Sequence, residues 1–274
     1  MHARQRLTIA LVTGAFLTAC TQKAEESREA AAVAPGVGSR EVTYAAGETA
    51  LKGFMAWDTS RTTPRPGVVV VHEWWGHNEH ARNAATKLAE AGYVALAVDM
   101  YGDGKNTTHP DSAAAFATAA ASNVESLTAR FTAAIAQLKA DPRVDSTRVA
   151  AIGYCFGGSI VLAMARGGMD LDAVASFHGA LPPDAPVDSG NVKARVLILN
   201  GAADPMVPQA QVEAFAAKLR KAGATVDVVN YPGAMHGFTN PRADSVGMQG
   251  LKYDATADSQ SWDALLKLLA EVFP

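Results

Sequence analysis

The sequence predicts an α/β fold in which a mostly parallel central sheet is flanked by helices on both faces. From about residue 41 to the end, short apolar runs alternate with segments of helical periodicity, as in parallel sheets with helical crossovers. The β-branched run at 68–71 indicates a strand that is buried on both faces. The 274 residues leave enough chain after the N-terminal segment for one large domain.

Periodicity and turn residues define the individual elements. Strands are predicted at residues 41–46, 51–57, 68–71, 93–98, 149–152, 173–177, 196–199 and 226–231. Helices are predicted at residues 81–88, 124–138, 157–165, 212–219 and 262–269. The first two strands form a hairpin around Gly47, whereas the later strands are joined by helices.

The N-terminal residues indicate export. Arg4 and Arg6 precede an uncharged apolar run at 7–19, which is shorter than the roughly 20 residues that a membrane-spanning helix needs. The run ends in Leu-Thr-Ala-Cys, which resembles the lipobox of bacterial lipoproteins, with Cys20 as the acylated residue. Thr21, rather than Asp, favours the outer membrane of a Gram-negative bacterium. The alternative is an ordinary signal peptide, after which Cys20 carries no lipid.

Three regions are therefore expected: a lipoprotein signal peptide at 1–19, a flexible tether at 20–40 and a folded domain at 41–274. The tether is small, polar and charged, and it lacks the apolar surface needed for folding. The formal net charge is −3 and no basic stripe occurs, so a nucleic-acid partner is not expected. Membrane contact is expected only through the N-terminal lipid, in the periplasm or cell envelope.

A cysteine occupies the place of a hydrolase nucleophile. Residues 153–158 read G-x-C-x-G-G between a predicted strand and a predicted helix, and the pattern resembles the nucleophile elbow G-x-S-x-G. The chain has two cysteines, so once Cys20 is assigned to the signal, Cys155 is left without a disulfide partner. The competing interpretation is a buried, inert thiol in a glycine-rich turn.

An acid and a histidine follow in the chain order that this chemistry requires. Asp204 lies on a turn after the strand at 196–199, and His236 lies on a loop after the strand at 226–231. A histidine that handles the thiol proton and a carboxylate that fixes its tautomer would complete a triad with Cys155. The order and the placement together favour the catalytic interpretation of Cys155.

These motifs resemble the dienelactone hydrolase family of α/β-hydrolases over nearly all of residues 41–274. The family's G-x-C-x-G-G elbow matches residues 153–158, and its D-x-x-x-P acid loop matches 204–208. Its H-x-F loop matches 236–238, and its D-[LM]-Y-G stretch matches 99–102. The resemblance implies an ester or lactone hydrolase that uses a Cys155–Asp204–His236 triad and needs no cofactor.

The resemblance also assigns further residues. Glu73 matches a family glutamate that helps to convert the resting thiol to thiolate, and the backbone N–H groups of Trp74 and Phe156 match the oxyanion hole by position. Four side chains at or near the ends of predicted strands are expected to contact substrate: Trp75, Tyr101, His178 and Phe238. The alternative for Trp75 and His178 is a purely structural role.

Two departures from the family concern charge. Family members bind a substrate carboxylate through two arginines, but the corresponding places here are Gly102-Asp103 and Thr239-Asn240. Arg242 lies nearby but out of register, so neutral esters are expected to be preferred over anionic ones.

A metal site is not expected. Residues 72–76 resemble the zinc motif H-E-x-x-H, but Gly76 replaces the second histidine and the run follows a strand rather than lying on a helix. The predicted function is cysteine-dependent hydrolysis of ester or lactone bonds in a small-molecule substrate. The rival is a non-catalytic surface lipoprotein that keeps the fold for ligand binding.

Overall fold

The computed structural model describes residues 36–274, and within this range it contains one eight-stranded sheet. The signal peptide, Cys20 and most of the proposed tether lie outside the described residues. No helix in the described part of the chain combines the length and the apolar composition needed to cross a bilayer.

The elements alternate as the sequence predicts. The strands are β1 (Val37–Ala46), β2 (Thr49–Asp58), β3 (Arg65–Val71), β4 (Val94–Val98), β5 (Val144–Tyr154), β6 (Ala173–Phe177), β7 (Arg195–Gly201) and β8 (Val226–Tyr231). The helices are α1 (Glu79–Glu90), α2 (Pro110–Ala121), α3 (Val124–Lys139), α4 (Phe156–Arg166), α5 (Gln209–Lys221) and α6 (Ala255–Val272), with a short 3₁₀ helix at Ala243–Val246.

The sheet is mostly parallel. Its strand order is β1-β2-β4-β3-β5-β6-β7-β8; β1 and β2 pair antiparallel, β2 also pairs antiparallel with β4, and the strands from β4 to β8 in this order are parallel. The carboxyl ends of the six parallel strands therefore meet at one edge, where ligands bind in open α/β sheets. The predicted fold class is confirmed.

Alternating side chains of the central strands build a core on each face of the sheet. In β3, Val69 and Val71 face the core that contains α3, α4 and α5, whereas Val68 and Val70 face the core beneath α1 and α6. All four valines are fully buried, because both faces of the strand are covered. The helices thus lie on both faces, as expected.

Two features differ from the expected element boundaries. β1 begins at Val37, so residues 37–40, which were assigned to the tether, pair with β2 instead. Arg40 explains this extension, because its guanidinium forms an ion pair of 3.0 Å with the buried carboxylate of Asp141. α2 was not predicted, because its alanine-rich sequence has no apolar stripe at helical spacing; Pro110 at its start is the signal that sequence reasoning passed over.

Candidate active site

Cys155 occupies the sharp turn between β5 and α4. Its backbone has φ 51° and ψ −111°, a conformation that L-residues rarely adopt and that is kept only where the surroundings enforce it. The enforcing contacts include a 3.1 Å hydrogen bond from Cys155 N to Phe177 O and a 3.2 Å bond from Ala180 N to Cys155 O. The thiol is partly exposed at the N-terminus of α4, where the helix dipole favours negative charge.

Glycines on either side of Cys155 allow the turn to pack. A Cβ added at Gly153 would lie 2.2 Å from Gly157 O, and one added at Gly157 would lie 2.4 Å from Val71 O. Because these close neighbours are backbone atoms, a side chain at either position would push α4 away from β5 or β3. The predicted elbow is therefore present in its full strand–turn–helix form.

Asp204 and His236 form a buried, oriented pair. His236 Nδ1 lies 2.8 Å from Asp204 Oδ2, and since an ionised carboxylate only accepts, Nδ1 is the donor. The second carboxylate oxygen accepts from Met206 N at 2.7 Å and Val207 N at 3.1 Å. These three bonds fix the carboxylate and leave Nε2 of His236 available for chemistry.

The charge environment favours the imidazolium form of His236. Burial alone would lower the pKa of His236, but the neighbouring Cys155 sulfur and the hydrogen-bonded Asp204 carboxylate outweigh burial and raise it to about 10. His236 and Cys155 line the same cavity. The cavity wall therefore brings together the Cys155 sulfur and an imidazole whose charged form is favoured.

Trp74 and Phe156 line the same cavity as Cys155. Within residues 36–274, neither backbone N–H takes part in a hydrogen bond, so both are free to donate to a ligand. The carbonyl group of Trp74 is held in place, because Tyr101 Oη donates a hydrogen bond to Trp74 O at 3.0 Å. Both free N–H groups therefore belong to residues of the cavity wall that also contains Cys155, as the donors of an oxyanion hole must.

Glu73 is also buried, but its carboxylate does not line the cavity. Asn240 Nδ2 donates to Glu73 Oε2 at 2.6 Å, and His80 Nδ1 lies 3.8 Å from the same oxygen. The structure therefore brings Glu73 close to the loop that follows His236 and pairs it with a neutral amide.

None of the four side chains expected to contact substrate is part of the cavity lining, and their role in substrate binding stays a prediction. His178 is fully buried; its Nε2 lies 2.8 Å from Thr239 Oγ1, and its ring packs against that of His236. Burial lowers the pKa of His178 well below its usual range, an effect that the neighbouring His236 and His80 strengthen. Phe238 packs on His178, Trp75 packs on Trp74, and Tyr101 packs on Phe156. All four follow the carboxyl ends of strands, and all four are buried.

The histidines after β3 do not form a metal site. Both ring nitrogens of His72 have partners, Nδ1 with Glu73 O at 2.6 Å and Nε2 with Met100 N at 3.2 Å. Among residues 36–274, no three His, Cys, Asp or Glu side chains converge as metal ligands would.

A cavity of about 730 Å³ opens over Cys155. Its lining is largely apolar and comes from α2, α3, α4 and the loops that follow β3, β6, β7 and β8. Besides Cys155, the charged or titratable side chains in that lining are Arg166 and His236. Arg242 lies outside it, 72% exposed and 3.4 Å from Glu79, and Asp103 is also outside it. The loop of Arg242 therefore provides no carboxylate-binding cation here.

Comparisons with known proteins show the family of this chain. The model of the dienelactone hydrolase family matches residues 51–273. Protein usf of Aquifex pyrophilus is 30% identical over 229 residues, which cover 81% of this chain and 93% of the relative. Two solved structures, m3DLH and a dienelactone hydrolase-like promiscuous phosphotriesterase from metagenomic libraries, are 38% and 39% identical. Each superposes with a TM-score of 0.83 over 87% of this chain and 100% of the other. The chain has the α/β-hydrolase fold and belongs to the dienelactone hydrolase family, whose members hydrolyse ester or lactone bonds.

Proposed function

We propose that the protein hydrolyses neutral carboxylic esters or lactones through a thioester at Cys155. The observation that carries this proposal is the 2.8 Å His236–Asp204 hydrogen bond in the wall of the cavity that also exposes the Cys155 thiol. The neutral character of the substrate is inferred from the apolar lining, because Arg166, the arginine in that lining, lies eleven residues along α4 from Cys155.

The first half of the reaction forms the thioester. The Cys155 thiolate attacks the carbonyl carbon, and the carbonyl oxygen, now negative, accepts hydrogen bonds from the N–H groups of Trp74 and Phe156. The C–O bond to the leaving group then breaks as His236 Nε2 gives its proton to the departing oxygen. Asp204 stabilises the imidazolium until that transfer and keeps the ring in place.

The second half of the reaction hydrolyses the thioester and regenerates the free enzyme. Water attacks the thioester carbonyl while neutral His236 takes one of its protons, and the same two N–H groups stabilise the new oxyanion. The C–S bond breaks, the carboxylic product leaves, and Cys155 departs as thiolate beside the re-formed imidazolium. The cycle therefore uses the three side chains of the triad, two backbone N–H groups and one water molecule.

The test of this proposal is a screen of small esters and lactones with and without thiol alkylation. Iodoacetamide should abolish activity and add one group at Cys155, measured by mass spectrometry. Cys155→Ala should lose at least about 10⁴-fold in kcat, because the nucleophile is gone, while circular dichroism stays unchanged. Near wild-type activity in Cys155→Ala would refute the proposal, and no thiol-dependent activity at all would favour the rival non-catalytic binding role.

Substrate charge provides a separate test. A matched pair of esters, one with a free carboxylate near the scissile bond and one amidated, should differ by about tenfold or more in kcat/KM in favour of the neutral ester. The lost charge-assisted hydrogen bonds alone are worth about 1.5–3 kcal/mol, and 1.4 kcal/mol is tenfold. If the anionic ester is preferred and Arg242→Ala removes that preference, Arg242 is the missing carboxylate clamp.

Neutral phosphotriesters are a second candidate substrate. The relative described as a promiscuous phosphotriesterase is 39% identical, and a neutral triester is compatible with an apolar cavity that has a nucleophile at one end. A p-nitrophenyl phosphotriester should release nitrophenol with wild-type protein and not with Cys155→Ala. Equal release from both proteins would remove this candidate.

We also propose that the mature protein is anchored by lipid on Cys20 in the bacterial cell envelope. The Leu17–Cys20 junction and the polar segment after it support this. One acyl chain anchors marginally, whereas two or more hold firmly. Cys20→Ser should move the protein from the membrane to the soluble fraction; an unchanged distribution would refute the lipid anchor.

A further inference from the structure

The cavity runs along one face of α4. Cys155, Ser159, Ala163 and Arg166 all line it, and all four are partly exposed. Their spacing of four, four and three residues places them in one row on the helix surface. At 1.5 Å per residue, the row extends about 16 Å from the nucleophile, and Ala163 lies about 12 Å along it. Ser159 and Ala163 are small, so the row forms the floor of a groove.

The opposite walls of the groove are also small or apolar. Ala117 and Ala121 of α2 face it, together with Val124 at the start of α3. Pro182 and Pro183 close the side formed by the loop after β6. Val124 is 65% exposed and adds apolar surface to this wall of the groove.

A separate part of the cavity adjoins His236. It is lined by Met206 and Val207, which follow Asp204, and by Leu251, whose backbone pairs with that of His236. Because His236 must reach the oxygen of the leaving group, the alcohol portion of an ester belongs on this side. The acyl portion is then directed along α4.

We propose that the groove along α4 binds a linear acyl chain of about ten carbons, so that the protein is an esterase of medium- to long-chain acyl groups. The inference rests on the proposed function and adds the substrate class. Carbon–carbon bonds of about 1.5 Å at near-tetrahedral angles advance an extended chain by about 1.25 Å each, so about ten carbons reach Ala163. Arg166, whose guanidinium donates to Pro183 O at 2.7 Å, then lies beyond the methyl end.

Burial in the groove predicts the size of the preference. Each methylene that leaves water strengthens binding by up to about fourfold, the value for complete burial. Because the groove is open on one side, about twofold per methylene is expected here. From a four-carbon to a ten-carbon acyl group, kcat/KM should therefore rise by at least about 50-fold and then level off.

The test uses p-nitrophenyl esters with acyl groups of two to fourteen carbons, assayed with the wild-type protein and Ala163→Phe. The phenyl ring should fill the groove and lower kcat/KM for the ten-carbon ester at least tenfold, while the two-carbon ester changes less than twofold. Ala136→Phe is the matched control, because Ala136 is exposed on α3 and does not line the cavity. It should leave the whole series unchanged, and melting curves verify the fold of both variants.

A second series keeps the acyl group at two carbons and lengthens the alcohol from methyl to decyl. A flat acyl series, or an Ala163→Phe effect confined to the alcohol series, would overturn the assignment of the groove. If Cys155→Ala removes activity while the acyl series is flat, the inference fails and the proposed function stands. If Cys155→Ala hydrolyses the two-carbon ester at the wild-type rate, it is the proposed function that fails.

Discussion

Two buried carboxylates lie at the same edge of the sheet, but they have different partners. Asp204 follows β7 and is hydrogen-bonded to His236 at 2.8 Å, beside the exposed Cys155 thiol. Glu73 follows β3 and is hydrogen-bonded to the amide of Asn240 at 2.6 Å, outside the lining of the cavity. The two carboxylates are almost equally buried, at 4% and 3% exposure, so burial does not distinguish them.

The partner determines what each carboxylate can do. Asp204 faces a titratable ring and can stabilise a charge that moves during the reaction. Glu73 accepts a hydrogen bond from a neutral amide, with the His80 ring 3.8 Å away, and ties the loop that carries Trp74 to the loop that carries His236. His80 strengthens this connection, because its Nε2 lies 3.2 Å from Thr239 O. The geometry thus suits Asp204 to orienting His236 and Glu73 to connecting the two loops.

The largest expected difference in kcat is between the variants Asp204→Asn and Glu73→Gln. Asp204→Asn should lose at least about a hundredfold in kcat, and so should His236→Ala, because each removes an oriented acid–base group. Wild-type and variant proteins are to be compared under saturating ester at pH 7 to 8. A loss below tenfold in Asp204→Asn would show that His236 is oriented by something else.

Glu73→Gln should lower kcat by about tenfold or less. Glutamine still accepts a hydrogen bond from Asn240, but exchanging a charged for a neutral acceptor weakens the bond by about 1 kcal/mol. The resemblance to the family implies a larger role, in which Glu73 activates the thiol. A hundredfold loss in kcat, together with slower alkylation of Cys155 by iodoacetamide, would support that role. Glu73 would then act on the thiol and not only connect the two loops.

Asn240→Asp should destabilise the protein, because it places two carboxylates within hydrogen-bond distance in a buried site. We expect a decrease of about 1–3 kcal/mol in the free energy of unfolding, measured by urea denaturation. Adding Glu73→Gln removes one of the two charges and should restore most of the stability. If the double variant is no more stable than Asn240→Asp, the Glu73–Asn240 bond does not hold the loops.

The smallest effect concerns the titration of His236, whose pKa is raised to about 10. A raised pKa means that the imidazolium stabilises the fold fully below its ordinary pKa of about 6.5 and that this contribution is lost as pH rises through about 10. Ring signals in NMR spectra should titrate at lower pH in Asp204→Asn and in Cys155→Ala. Glu73→Gln should leave the titration unchanged; a decrease there would mean that both carboxylates act on His236.

The residues of the site were predictable because each lies at a recognisable turn. Glycines mark the elbow around Cys155, and Asp204 and His236 each follow an apolar strand in the required order. Their convergence follows from parallel strands, whose carboxyl ends meet at one edge. The positions of the candidate triad and of the Trp74 and Phe156 N–H groups could therefore be predicted from the sequence.

Side-chain direction and the shape of the cavity were not predictable in the same way. His178 follows β6 at the correct edge, but its backbone at φ 39° turns the ring towards Thr239. The pairing of Glu73 with Asn240 joins residues 167 positions apart, and no local pattern encodes it. α2, which supplies one wall of the groove, is alanine-rich and lacks the periodicity by which amphipathic helices are recognised.

The glycines of the elbow have a consequence for how this protein can evolve. A methyl group at Gly153 would collide with the backbone of α4 at 2.2 Å, so one mutation would cost both folding and catalysis. The groove is different, because Ser159 and Ala163 border open space on the outer surface of the same helix. Changes there alter what fits without disturbing the turn. A single helix therefore carries an end that has no room for added side chains and a side on which substitutions can change specificity.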